Sequence, residues 1–173
     1  CVIAQENLIK KIYFPRLVLP ITYVTSAFVN MLLTFIIIFI VLIFSGHGIN
    51  LLALCFLPVV FLIEYVLALG MCMLTSALTV YFRDLEYILN IFAMAWMYLS
   101  PIMYTTEMVP ENLRPIFKWN PLSAIIETYH EILYYKKIPQ LSTLGSATIW
   151  GLIFLIVGIL AFEKLQKNFV EEL

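Results

Sequence analysis

From Leu17 to Ile63 the chain carries no formal charge, and that run is about twice the ~20 residues that a helix needs to cross a bilayer. Hydrocarbon offers no water to backbone polar groups, so such a run spans as helix and has to fold back once. Ser45-Gly46-His47-Gly48-Ile49-Asn50 supplies the turn, which divides the run into spans at 21–44 and 51–80. His47 reads as a solvated turn residue. Composition agrees: 63% of the residues are hydrophobic and 12% charged, against roughly 25% charged in soluble domains. The fold class is all-α and polytopic, in a membrane. A net charge of -1 without a Lys/Arg cluster gives no surface for nucleic acid. The three cysteines form an odd set, and Cys55 and Cys72 fall about 25 Å apart along one helix, so no disulfide framework is expected.

Polar residues inside the spans are the next constraint. In the first span Thr22, Ser26, Asn30 and Thr34 recur every four residues, covering a face expected to turn from lipid. Helix–helix hydrogen bonding and a polar strip along a transport path both fit that stripe. Glu64 lies near the middle of the second span, where an ionised carboxylate is costly and needs a partner. Ala68, Met71, Cys72, Thr75 and Thr79 continue its side of the helix, so Glu64 is expected to face the bundle interior. It is either a neutral, hydrogen-bonded structural group or part of a substrate path. The spans hold no second ionisable residue, which argues against ion-driven transport.

The segment 87–104 is expected as the third of four transmembrane spans, and it runs into Ser100-Pro101-Ile102-Met103-Tyr104, where Pro101 lacks the N–H that a continuing helix needs. Asn120-Pro121 then reads as a helix start, with Asn120 as cap and Pro121 at the first helical position. From Pro121 to about Tyr135, residues Leu122, Ile125, Ile126, Tyr129, Ile132 and Leu133 share one apolar face. Glu127, His130 and Glu131 exclude a lipid-exposed span, so this helix is expected to dip into or lie on the outer membrane face, within an external connection at 105–143. A last span at 144–162 carries Ala147-x-x-x-Gly151 and Gly158 as a close-packing face.

Two elements are expected on the cytoplasmic side. Residues 1–16 form an amphipathic helix with Leu8, Ile9, Ile12 and Tyr13 on its apolar face, read either as an interfacial anchor or as a docking helix for a partner. Arg83-Asp84-Leu85-Glu86 is a tight link between helices, either a solvated turn or a partner contact. Placing both termini and Arg83 inside sets six basic residues against four, and the four lie on a long loop that the positive-inside rule discounts. The chain opens on Cys1, and the expectation is that a longer protein precedes it. No G-x-x-x-x-G-K-[ST] occurs, so an energy source for transport is expected on another chain. Glu127-x-x-His130 is half of a carboxylate–histidine metal set without its second half, so no metal is expected. Gly-x-Ser-x-Gly, Cys-x-x-Cys and His-Glu-x-x-His are missing too.

The order Asn7-Leu8-Ile9 to Phe14-Pro15-Arg16, Tyr81-Phe82-Arg83-Asp84-Leu85, Ser100-Pro101-Ile102-Met103-Tyr104, Val109-Pro110 and Asn120-Pro121-Leu122 resembles the membrane permeases of ABC-2 type exporters. The resemblance is to the branch that moves lipid-linked polysaccharides such as O-antigen, capsule and teichoic acid, and it covers essentially the whole chain. It implies a permease subunit in the bacterial cytoplasmic membrane, pairing with a second copy and with separate ATPase subunits that hold ATP and Mg. No cofactor is then expected in this chain, and it is not expected to be an enzyme. The resemblance makes residues 1–16 a coupling helix, with Leu8, Ile9, Ile12, Tyr13, Arg83 and Asp84 facing the ATPase. Asn30, Glu64, Tyr98, Pro101, Tyr104, Asn120, Pro121 and Tyr129 become candidates for the translocation path or its outer gate, where the Pro121 helix is a re-entrant element. The family usually has Arg where His130 follows Tyr129, and it has two earlier spans that this sequence lacks. A drug or small-lipid exporter of the same type, and a non-transporting enzyme or scaffold of polysaccharide assembly, are the competing readings.

Overall fold

Proline placement divides the apolar chain into its helices. A computed structural model describes residues 17–45, 50–82, 84–102, 104, 108, 110, 117 and 119–166, and among these every regular element is helical. Helix α1, Val18–Phe44, tolerates Pro20 because the proline lies in the first turn, where no intrahelical N–H is needed. Leu51–Leu54 is a short helix, α2, capped by Asn50. A turn at Cys55 and Phe56 separates it from α3, Leu57–Tyr81, because Pro58 at the start of α3 cannot donate backwards. The span expected as one piece at 51–80 is therefore broken near its start.

Helix α4, Leu85–Leu99, ends where Ser100 turns extended ahead of Pro101. It stops short of the Tyr104 boundary expected from the uncharged run, and its 15 residues reach only about 22 Å at 1.5 Å per residue. Helix α5, Pro121–Tyr129, continues directly into a π-helical turn, His130–Tyr134. Helix α6, Leu141–Leu165, follows Pro139 and is longer at both ends than the span expected at 144–162. Among the described residues, three stretches are long and apolar enough to cross a membrane: Val18–Phe44, Leu51–Tyr81 and Leu141–Leu165.

Two apolar cores lie one above the other along the bundle. One joins Ala53, Leu57, Val60, Ile63 and Leu67 to Ala124, Ile125 and Ile132 of the α5 segment and to Leu144 and Ala147 of α6. The other joins Leu19, Met73, Ala77, Val80 and Phe162, so the start of α1 and the ends of α3 and α6 share one end of the molecule. Tyr81 donates its hydroxyl hydrogen bond to the Leu165 carbonyl at 2.9 Å and fastens that end.

The main seam is α3 against α6. Its buried face on α3 is Val60, Ile63, Leu67, Gly70, Met73, Ala77 and Val80, spaced by three and four as a helical face requires. This corrects part of the face expected from the Ala68 to Thr79 stripe: Ala68 is exposed and Cys72, Thr75 and Thr79 flank the seam, while Met71 packs against the core. The rotation of α3 is set by Gly70, whose Cα side meets the backbone of Phe154, Leu155 and Gly158. Thr75 and Thr79 bond to carbonyls one turn back, at 2.8 Å and 3.0 Å, and so need no second helix.

These glycines separate cleanly by substitution. Gly158→Ala drives a methyl into the Gly70 carbonyl and should cost about 1–3 kcal/mol by overpacking. At Gly145 nothing lies within 4 Å of an added methyl, so Gly145→Ala should gain about 0.5–1 kcal/mol from helix propensity. Thermal unfolding in detergent measures both, and opposite signs are the expected result.

Candidate functional site

The end of α4 and the start of α5 meet at one side chain. Asn120, extended at φ -80 and ψ 117, accepts on Oδ1 from the Leu122 N–H at 3.1 Å, which caps α5. The same oxygen accepts from Trp96 Nε1 at 2.9 Å. Its Nδ2 donates to Ser100 Oγ at 3.1 Å and to the Leu99 carbonyl at 3.3 Å. Both donors and both lone pairs of the amide are thereby used. Ser100 and Pro101 beneath it are fully buried. Next to them the Tyr104 hydroxyl donates to the Tyr98 carbonyl at 2.6 Å, and its ring meets Phe117 edge-on.

Halfway along, the Tyr129 hydroxyl donates to Glu64 Oε2. That carboxylate lies about 10 Å along α3 from Leu57 at ~1.5 Å per residue, so the α5 segment reaches well past the helix end. The Tyr129 ring packs against Phe35 of α1 and Phe61 of α3, with centroids 5.4 Å and 6.1 Å away. The partner that a carboxylate inside a span demands comes from the α5 segment and not from another span.

The far end is held by backbone groups together with the Asn50 amide. In the π turn the Tyr135 N–H bonds to the His130 carbonyl at 2.9 Å, and Lys136 then takes a left-handed conformation, φ 54. Asn50 Nδ2 donates to the Lys136 carbonyl at 2.9 Å while Asn50 Oδ1 caps α2. Glu131 Oε2 accepts from the Gln140 N–H at 3.1 Å, which commits that carboxylate to the start of α6. Beside it an open groove of about 370 Å³ is lined by Phe117, Glu127, Gln140, Ser142, Thr143 and Ser146.

Pro101, Tyr98, Tyr104, Asn120 and Pro121 thus gather at the α4–α5 junction, while Tyr129 and Glu64 form a separate pair nine residues further along the α5 segment. Asn30 does not: it is exposed on α1 with Thr22, Ser26 and Thr34. Thr22 and Thr34 instead bond to their own helix, at the Val18 and Asn30 carbonyls, so these two hydroxyls demand no polar neighbour. The cross-helix bond of α1 comes from Thr25, which meets the Tyr65 hydroxyl at 2.9 Å. Asp84 is exposed and makes no side-chain cap for α4. Leu8, Ile9, Ile12, Tyr13 and Arg83 lie outside the described residues. Asn50, Trp96, Ser100 and Lys136 are members that sequence reasoning missed as partners. Asn50 had a signal, since Asn directly before an apolar helix is a cap.

Residues 1–134 match the family described as ABC-2 type transporter. The chain belongs to the ABC-2 type transporter family. It is 32% identical over 169 residues to the O-antigen export system permease protein RfbA of Klebsiella pneumoniae, covering 98% of this chain and 65% of that protein. A protein of the same name from Myxococcus xanthus is 25% identical over 171 residues, with the same two coverages. The chain therefore spans about 65% of the length of these relatives. Family membership and three helices of spanning length make this ABC-2 family member a multi-pass protein of the bacterial inner membrane.

Asn120 is the residue whose loss reads out the α4–α5 junction. Asn120→Ala removes a helix cap, worth about 1 kcal/mol, and strips the Trp96 N–H of its acceptor, for a total near 2 kcal/mol. Asn120→Asp keeps the acceptor and should cost less. Thermal unfolding followed by tryptophan fluorescence ranks the three proteins.

Proposed function

We propose that this chain is the permease subunit of an ATP-driven exporter that moves a lipid-linked polysaccharide across the cytoplasmic membrane. The observation that carries the reading is the match of nearly the whole chain to two proteins named as O-antigen export system permeases. The held re-entrant segment supports it, because a short helix pinned across the outer ends of spans suits a gate over a large substrate. The groove beside it offers hydroxyl, amide and carboxylate groups with one aromatic ring, a lining suited to sugars.

ATP hydrolysis is assigned to a separate ATPase chain, which holds ATP and Mg, and the amphipathic helix at 1–16 docks on that chain by its Leu8, Ile9, Ile12 and Tyr13 face. Arg83 and Asp84 lie at the same end of the bundle in this reading. Two permease copies flank the path. Helix α4 has no buried residue and presents Tyr87, Ile91, Met94 and Tyr98 outward, a face open to lipid or to a second copy. Force on the docking helix reaches the outer segment through the spans only if the two states of the segment differ in contacts.

In the complete transporter, replacing Ile9 and Ile12 with Asp should release the ATPase and abolish export of the lipid-linked polymer, with the permease still inserted. Retained export by that variant overturns the docking role. For topology, Gly48→Cys and Asn112→Cys should react with an impermeant thiol reagent added outside intact cells, and Asp84→Cys should not; the reverse pattern inverts the orientation.

A further inference from the structure

The re-entrant segment is fixed at its two ends by amide side chains, Asn120 and Asn50, and at its middle by a different kind of contact. There, Tyr129 of the segment donates to Glu64 of α3, inside walls made by Phe35 and Phe61. Those walls are apolar, so a parted pair leaves a carboxylate without its donor in a place where water is scarce. The contact is therefore made or broken with little in between.

The residue after Tyr129 opens the π turn His130–Tyr134. A π turn holds one residue more than an α turn and is frequent at functional positions. Returning that residue to α geometry rotates what precedes it by about 100°, at 3.6 residues per turn. Such a rotation swings Tyr129 off Glu64 while Asn50 still holds the Lys136 carbonyl beyond the turn.

Resting on the transport reading above, we propose that Glu64 and Tyr129 form a latch that seats the re-entrant segment in the resting state, and that the π turn is the joint about which the segment re-seats once the latch parts. Both are positioning residues: neither has to touch the exported molecule. What the latch requires of position 64 is a hydrogen-bond acceptor and not a charge. Glutamine supplies one and leucine does not.

The test uses the complete transporter with its ATPase, with Cys1, Cys55 and Cys72 replaced by Ser and a reporter Leu122→Cys. Leu122 lies two turns before Tyr129 on the same face and packs, partly buried, against the core. Labelling by an impermeant maleimide from outside is followed at rest and during ATP turnover. The parent and Glu64→Gln should label slowly at rest and faster during turnover. Tyr129→Phe and Glu64→Leu, which break the pair from opposite sides, should label at least tenfold faster at rest and lose at least tenfold in export. The double variant should be no worse than the more affected single one. Either single variant suffices if only one reaches the membrane at the parent level. Slow resting labelling by a pair-breaking variant, or a Glu64→Gln that behaves as Glu64→Leu, overturns the latch. Labelling does not depend on export, so a chain that exports no polysaccharide yet shows the labelling pattern refutes the transport reading and keeps the latch.

Discussion

A peptide group left unpaired in hydrocarbon costs several kcal/mol, and the half of this molecule where α4 and α5 meet is arranged around that cost. Helix α4 stops at Leu99 because Pro101 cannot continue it, and α5 starts at Pro121, so two helix ends come close together. Asn120 supplies what both ends need, donating to the Leu99 carbonyl and accepting from the Leu122 N–H. Asn50 repeats the device on the other side, capping α2 while satisfying the carbonyl of Lys136. With its ends met in this way, the segment between them can leave water and reach a carboxylate on a spanning helix.

Much of this was legible because the signals act over short distances. A proline stops or starts a helix within a turn of itself, and the uncharged run leaves no choice but spans, so the order of helices could be read along the chain. Asn120 could be read as a cap since its Leu122 contact is two residues away. Its contacts with Trp96 and Ser100 could not, as they depend on where α4 ends in space. The partner of Glu64 lay 65 residues away in sequence, on a helix that periodicity alone could place either in or on the membrane.

The errors have physical causes of the same kind. The Thr22 to Thr34 stripe suggested a polar neighbour, yet a threonine in a helix can return its hydroxyl to the preceding turn, and these do. The small and polar residues after Glu64 suggested the buried side of α3, whereas the rotation follows from backbone meeting backbone at Gly70 and Gly158. No residue-type pattern marked the π turn at His130–Tyr134.

The contact at Gly70 and Gly158 also says how the molecule can deform. With no side chain between them, α3 and α6 have no soft layer to slide on, and Tyr81 ties their shared end to the Leu165 carbonyl. They form a stiff beam down the bundle. Helix α1 buries only Leu19, Pro20 and Val24, and α4 buries nothing. Displacement along the chain therefore falls on α1 and α4, which lean on the beam without being keyed into it.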